Sequence, residues 1–194
     1  MKANVWVAAA LMIAFTGCKQ SKENANVEAE SNVSVVESLE ASSDIQEALE
    51  SSEVSEASRI IDFTLPSPNG TPTSVMSLVK QNRITILDFW ASWCGPCRRE
   101  IPSMVALYDT YHKKGLGIVG LSLDNDHNSW VRAIGELNMS WPQLSDLRGW
   151  ESEAAQLFQV TAIPHMIVVD SDGNILAQGL RGEELQQHIV ELLK

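Results

Sequence analysis

Two cysteines separated by two residues, Cys94 and Cys97, constrain this chain more than any other feature. They follow a run of strand-forming apolar residues at 84–90 and open a stretch with helical spacing at 98–112. Cysteines three positions apart at the start of a helix share one face of its first turn, where they can close a small disulfide. The free N–H groups and the positive dipole of that helix end favour a thiolate on the first sulfur. The sequence therefore predicts a redox-active dithiol between a strand and a helix.

Other functions of such a cysteine pair need further residues that do not stand at the required positions in this sequence. A zinc site needs a second pair of ligands, and the only other cysteine of the chain is Cys18. Covalent haem attachment needs a histidine directly after the second cysteine, where this chain has Arg98. A purely structural bridge across so short a loop would add little stability. A redox dithiol remains the favoured interpretation.

The residues DFWASWCGPC, at positions 88–97, resemble the active-site segment of the thioredoxin superfamily. The continuation RREIP, at positions 98–102, is similar to the TlpA-like and ResA-like branch, the membrane-tethered extracytoplasmic thiol-disulfide oxidoreductases. The resemblance extends from about residue 61 to the C-terminus. It implies an α/β, thioredoxin-like fold over residues 59–194. Helices should flank a central mixed sheet, with an extra N-terminal strand or hairpin and a central insertion.

The residues around the sulfurs divide into a nucleophile, a resolving thiol and a substrate surface. Cys94 is the predicted nucleophile, because it stands first in the helix, where we expect it to be exposed. Cys97, one turn in and facing the core, is expected to resolve the mixed disulfide. The Gly95-Pro96 dipeptide resembles that of reducing thioredoxins, which favours a reductant. Trp93 is expected to shield Cys94 and to contact the substrate.

Two acidic residues are further catalytic candidates. Asp88 interrupts an apolar strand, so a buried carboxyl with a raised pKa is expected, able to exchange a proton with Cys97 through water. The alternative is an acid on an edge strand that faces solvent. Glu100 lies one turn after Cys97, and TlpA-like proteins often carry an acid at this offset that tunes the cysteines. A solvated helix acid beside Arg98 and Arg99 is an equally simple interpretation.

A proline before the next predicted strand completes the predicted site. Ile163-Pro164 matches the cis-proline position of the superfamily. The resemblance implies that the Ile163 backbone faces the dithiol and offers its N–H and C=O groups to an extended substrate. His165 follows directly, and a histidine at a strand start is more often a packing or surface residue than a functional one.

The hydrophobic spacing predicts an alternation of strands and helices that ends in an antiparallel hairpin. Strands are expected at 61–65, 84–90, 117–123, 166–170 and 174–178, and helices at 77–80, 94–113, 128–138, 150–158 and 183–193. Pro102 is expected to kink the long helix. Asp124, Asp126 and Asn128 are expected to cap the helix at 128–138. Residues 141–144 and the helix at 150–158 look like the central insertion of TlpA-like proteins.

The first 18 residues predict export and lipid attachment. Lys2 precedes an apolar run at 5–15 that is too short for a confident membrane span. Small residues then lead to Cys18, as in the bacterial lipobox, although Phe15 stands where leucine is usual. We therefore predict a lipoprotein signal peptide at 1–17 and a lipid anchor on Cys18. A plain signal peptide or an uncleaved anchor is the alternative.

Residues 18–58 form the predicted tether between the anchor and the domain. Ten of the 25 acidic residues of the chain lie between positions 19 and 58, against two lysines. This acidic, serine-rich composition favours a mostly disordered chain with transient helix. Its negative charge would be repelled by an anionic membrane and would hold the domain away from the surface. The net charge of −11 gives no sign of the basic face that nucleic-acid binding needs.

The leading hypothesis is a monomeric protein of the bacterial cell envelope, lipid-anchored to a membrane, whose domain faces the periplasm. It would reduce disulfides of exported proteins, with a membrane thiol protein as electron donor and no metal or other cofactor. Cytochrome c apoproteins are one substrate class that the resemblance implies. A disulfide oxidant or isomerase is the runner-up.

Two other function classes remain as alternatives. Peroxide-reducing relatives place a threonine or serine three residues before the reactive cysteine, whereas this chain has Ala91. A thiol peroxidase is therefore not favoured. A copper-binding module would use Cys94, Cys97 and His165, but copper-delivering relatives generally have a longer cysteine spacing.

Overall fold

The computed structural model describes residues 59–194. The predicted signal peptide at 1–17, the anchor Cys18 and the tether at 18–58 lie outside the described residues. Within residues 59–194, the chain forms β1 (Thr64–Pro66), β2 (Pro72–Ser74), α1 (Val75–Val79), β3 (Ile84–Trp90), α2 (Gly95–Tyr111), β4 (Leu116–Ser122), α3 (His127–Glu136), β5 (Gln143–Leu144), α4 (Glu153–Leu157), β6 (His165–Asp170), β7 (Ile175–Gln178) and α5 (Gly182–Leu192). No helix in this part of the chain is long and apolar enough to cross a bilayer.

The main sheet has five strands in the order β5-β4-β3-β6-β7. The central strand β3 pairs parallel with β4 and antiparallel with β6, so the sheet is mixed as predicted. Every residue of β3 and β4 is buried, which explains their nearly continuous apolar sequence. The strands β1 and β2 form a separate antiparallel hairpin, which confirms the predicted N-terminal addition to a thioredoxin-like fold.

The strand directions gather three loops at one end of the sheet. The parallel strands β3 and β4 both finish there, and the antiparallel strand β6 starts there. The N–H of Leu123 donates to the carbonyl of Trp90 at 2.8 Å, which ties the chain leaving β4 to the chain leaving β3. We call this the dithiol end of the sheet, because the two cysteines follow β3 there.

Most predicted elements lie within two residues of the observed ones at each end. The strand predicted at 61–65 is wrong in its start, because β1 begins only at Thr64. Just before it, Arg59 and Ile60 bond to the β6–β7 turn at Asn174 and Gly173. The helix predicted at 150–158 is also wrong as one element. Ser152 has an extended backbone, and it separates the 3₁₀ turn Gly149–Glu151 from α4.

Candidate redox site

The two cysteines form the predicted disulfide at the start of α2. The S–S distance is 2.01 Å and the Cα atoms are 5.3 Å apart. Cys94 is the N-cap residue of α2, and its sulfur accepts a hydrogen bond from the N–H of Cys97 at 3.2 Å. Pro96 lies in the first turn, where its missing N–H leaves no helical bond unmade. The strand-to-dithiol-to-helix order predicted from the sequence is therefore confirmed.

The exposure of Cys94 differs from the prediction. Cys94 is 5% exposed and Cys97 is 1% exposed, so the first cysteine is the more accessible but is not open to solvent. The N–H of Cys94 donates to the carbonyl of Ala91 at 3.0 Å, and this turn directs the Cys94 side chain to the first turn of α2. The neighbouring Trp93 is 54% exposed, and Gly95 and Pro96 are exposed as well.

Asp124 fixes the loop that carries the cysteines. Its buried carboxylate accepts from the N–H of Ser92 at 2.9 Å, from the hydroxyl of Ser92, and from the hydroxyl of Ser122 at 2.8 Å. The prediction that Asp124 caps α3 is wrong, since Asp126 alone is the N-cap, with its Oδ1 accepting from Ser129. The available signal was an acid just beyond a mostly apolar strand, at the end of the sheet where the dithiol loop lies.

Asp88 is buried in the central strand, as predicted. Its register partners are Gly120 on β4 and Met166 on β6, and 1% of the residue is exposed. Burial, followed by the negative charge of Glu100, raises the pKa of Asp88 to about 7. Its Oδ2 atom has no hydrogen-bond partner. The alternative of a solvent-facing acid on an edge strand is wrong, because strands cover β3 on both sides.

Glu100 joins α2 to the last helix. It is half-buried, and its Oε1 accepts from the N–H of Gly182, the first residue of α5, at 2.7 Å. The alternative of a solvated acid beside Arg98 and Arg99 is not supported at Arg98, which pairs with Glu136 at 3.0 Å. Glu100 acts on Asp88 through its charge. Its tuning of the cysteines stays a prediction.

The Ile163–Pro164 bond is cis, as predicted. It lies directly before β6, so it belongs to the dithiol end of the sheet. His165 is half-buried, and its ring centroid is 6.1 Å from that of Phe89. Burial, with a smaller effect from the charge of Arg181, lowers its pKa. Between residues 59 and 194, no three His, Cys, Asp or Glu side chains are placed to hold a metal ion, so the copper alternative gains no support.

One exposed aromatic residue near the dithiol was missed by the sequence interpretation. Trp150 is 48% exposed, and its ring centroid lies 6.3 Å from that of Trp93. It belongs to the 3₁₀ turn of the central insertion, so no local pattern in the sequence places it beside the cysteines. The two indoles form an exposed aromatic surface next to the disulfide.

The substitution Asp88→Asn is expected to stabilise the oxidised protein at pH 8 and to have little effect at pH 4. The carboxyl ionises near 3.8 in the unfolded chain and near 7 in the folded one, so folding binds a proton between these values. The stability of the wild type therefore falls, relative to the variant, as pH rises through this window. The full difference is about 4 kcal/mol at most, reached above pH 7.

Urea unfolding of both oxidised proteins at pH 4, 6 and 8 measures this difference. Asp109→Asn, on the exposed side of α2, is the control for loss of a carboxylate without burial. It measures the effect of removing a carboxylate from the surface of that helix. A difference between the wild type and Asp88→Asn that stays constant from pH 4 to pH 8 would contradict the raised pKa.

Comparison with known proteins agrees with this geometry. Residues 57–178 match the model of the AhpC/TSA family. The thiol-disulfide oxidoreductase ResA of Bacillus thuringiensis subsp. konkukian is 31% identical over 108 residues, which are 56% of this chain and 60% of that protein. ResA of Oceanobacillus iheyensis is 34% identical over 90 residues, 46% of this chain and 45% of the relative. The chain thus matches less than two thirds of the length of these curated relatives.

Solved structures cover the described domain more fully. A thiol-disulfide oxidoreductase from Bacteroides fragilis is 34% identical with a TM-score of 0.65, and the match covers 69% of this chain and 98% of that one. The thioredoxin domain of a thiol-disulfide oxidoreductase from Bacteroides vulgatus is 27% identical, also with a TM-score of 0.65, covering 71% and 96%. With the family model matching more than half of its length, and with this fold, the chain belongs to the thioredoxin-like AhpC/TSA family.

Proposed function

We propose that this protein is a lipid-anchored, extracytoplasmic thiol-disulfide oxidoreductase that reduces disulfides of exported proteins. The observation that carries the proposal is the Cys94–Cys97 disulfide in the first turn of α2. Cys94 is slightly more exposed than Cys97, and an aromatic surface of Trp93 and Trp150 lies beside the disulfide. The thiol-disulfide oxidoreductases among its relatives support the same chemistry.

The proposed reaction has two steps. In the reduced protein, the thiolate of Cys94 attacks one sulfur of a substrate disulfide, and the other substrate sulfur leaves as a thiolate. The thiolate of Cys97 then attacks the sulfur of Cys94 and releases the second substrate thiol. The Cys94–Cys97 disulfide forms, and two electrons have passed to the substrate. A thiol protein of the membrane would return the dithiol to its reduced state.

Asp88 would receive the proton of Cys97 during the second step. A carboxyl whose pKa is about 7 is ionised in part of the population at neutral pH and can take up or return a proton there. Glu100, one turn after Cys97, would affect this exchange through its charge on Asp88. Ile163 and Pro164 would hold the extended substrate at the dithiol, together with Trp93, Gly95 and Pro96.

The place of action rests on the N-terminal sequence. A signal peptide at 1–17 and a lipid on Cys18 would hold the domain outside the cytoplasm, facing the periplasm, on the acidic tether at 18–58. In an oxidising compartment, a reductant depends on a partner that keeps it reduced. Apoproteins of cytochrome c are a suitable client class, because they must present free thiols for haem attachment.

Substituting the two cysteines separately tests the chemistry. Cys94→Ala is expected to abolish the acceleration of insulin reduction by dithiothreitol, because the attacking sulfur is lost. Cys97→Ala is expected to remain joined to substrate through Cys94, because no second thiol releases it. Turbidity measures insulin reduction, and non-reducing electrophoresis detects the mixed disulfide. The double variant is the control and should form no adduct.

Equilibration of the wild type with glutathione gives the direction of electron flow. A reductant is expected to have a potential below about −200 mV, as in the thioredoxin range. A value well above that would assign the protein to disulfide formation. Acceleration of insulin reduction by Cys94→Ala to the same extent as by the wild type would contradict the proposed chemistry altogether.

Cys18→Ser is expected to abolish labelling by a radioactive fatty acid in bacteria that produce the full chain, and to release the protein from the membrane fraction. The reason is that acylation of this thiol is the proposed attachment. Cys94→Ala serves as the matched control and should keep both the label and the membrane association. Equal labelling of Cys18→Ser and of the wild type would show that the anchor is placed wrongly.

A further inference from the structure

Three residues form a straight row across the parallel part of the sheet. Gln143 on β5 is the register partner of Gly120 on β4, and Gly120 is the register partner of Asp88 on β3. Side chains of directly opposed residues point to the same face of a sheet. Gln143 and Asp88 therefore share a face, with a residue that has no side chain between them.

The side chain of Gln143 occupies the space that Gly120 leaves open. A Cβ atom added to Gly120 would overlap the amide carbon, oxygen and nitrogen of Gln143. The amide thus lies over Gly120, in the direction of Asp88. With strands roughly 4.8 Å apart, the Cα atoms of Gln143 and Asp88 are separated by about 10 Å. Side chains of this length, if extended toward each other, reach across most of that distance and leave room for one bridging water.

The orientation of the amide is fixed by Trp90. The indole N–H of Trp90 donates to Oε1 of Gln143 at 3.0 Å, and an indole nitrogen is a donor only. The amide oxygen of Gln143 therefore faces Trp90, and the amide nitrogen Nε2 faces away from it. Nε2 of Gln143 is a buried donor without a partner, and Oδ2 of Asp88 is a buried acceptor without a partner. Buried polar atoms are rarely left unpaired, so two complementary ones on one face imply a link between them.

We propose that Gln143 is a positioning residue that donates a hydrogen bond from Nε2, through one bound water, to the carboxylate of Asp88. The bond stabilises the ionised carboxylate and holds it in one orientation. Its consequence for proton exchange with Cys97 rests on the proposed function, whereas the bond itself does not. The row neighbours Gly120 and Met166 carry no charge, and Glu100 on α2 is the charged group that acts on Asp88.

Gln143→Leu tests the bond, because leucine keeps much of the volume and removes the donor. A hydrogen bond to the ionised form favours that form. Its loss is expected to raise the midpoint of the Asp88 titration by about one pH unit or more, a tenfold change in its proton dissociation constant. The measurement is the carboxyl ¹³C chemical shift of Asp88 against pH in the oxidised full chain.

Two further variants separate the bond from packing. Gly120→Ala places a methyl group where the amide lies, so it is expected to displace Gln143 and to raise the midpoint in the same direction. Leu144→Val is the matched control, because Leu144 is the next residue of β5, buried on the opposite face. It should lower the free energy of unfolding and leave the midpoint unchanged. If Gln143→Leu fails to fold, Gln143→Asn withdraws the amide by one methylene and carries the same expectation.

A midpoint that is unchanged or lowered in Gln143→Leu, or in Gln143→Asn if leucine is not tolerated, overturns the proposal. The titration uses the oxidised protein and needs no substrate, so it is independent of the insulin assay. If the wild type does not accelerate insulin reduction but the Asp88 midpoint rises in Gln143→Leu, the proposed function is wrong and the hydrogen bond stands. If the wild type accelerates insulin reduction but the Asp88 midpoint stays the same in Gln143→Leu, the hydrogen bond is wrong and the proposed function stands.

Discussion

Asp88 places an ionisable carboxyl in the middle of the central strand, where the neighbouring strands leave 1% of the residue exposed. Burial penalises the charged form, and Glu100 adds to the effect, so the carboxyl changes charge near neutral pH. An apolar residue at this position would pack without that cost. Packing therefore does not explain the carboxyl. Because the strand leads directly into Cys94 and Cys97, a role in the chemistry of the dithiol does explain it.

The strand order explains how distant segments meet at this carboxyl and at the dithiol. Because β3 and β4 are parallel, the acid that follows β4, Asp124, reaches the loop that follows β3 and holds Ser92. Because β6 is antiparallel to β3, Pro164 before β6 arrives at the same end. On the other side of β4, the short strand β5 brings Gln143 into line with Asp88. The central insertion thus contributes to the site as well as to the fold.

The sequence predicts the local features of the site, but it does not predict contacts that depend on how distant elements pair. The cysteine pair, the helix that follows it and the buried position of Asp88 are visible in neighbouring residues, and the cis bond before β6 came from the family resemblance. The contacts of Gln143, Trp150 and Asp124 join elements far apart in the chain, so no window of sequence contains them. The burial of Cys94 was missed although its turn bond to Ala91 and its disulfide to Cys97 are both local, because residue type and spacing alone do not give the exposure of a residue.

The coupling between the carboxyl and the dithiol is tested most directly by titrating Asp88 in both redox states. Carboxyl ¹³C shifts of the oxidised and the reduced wild type give the two midpoints, with a protein lacking both cysteines as the control for the reductant itself. A thiolate near Asp88 disfavours a second negative charge, so the midpoint should rise by about one unit on reduction of the wild type and stay fixed in the control. The same midpoint in both redox states of the wild type would contradict a role for Asp88 at the sulfurs.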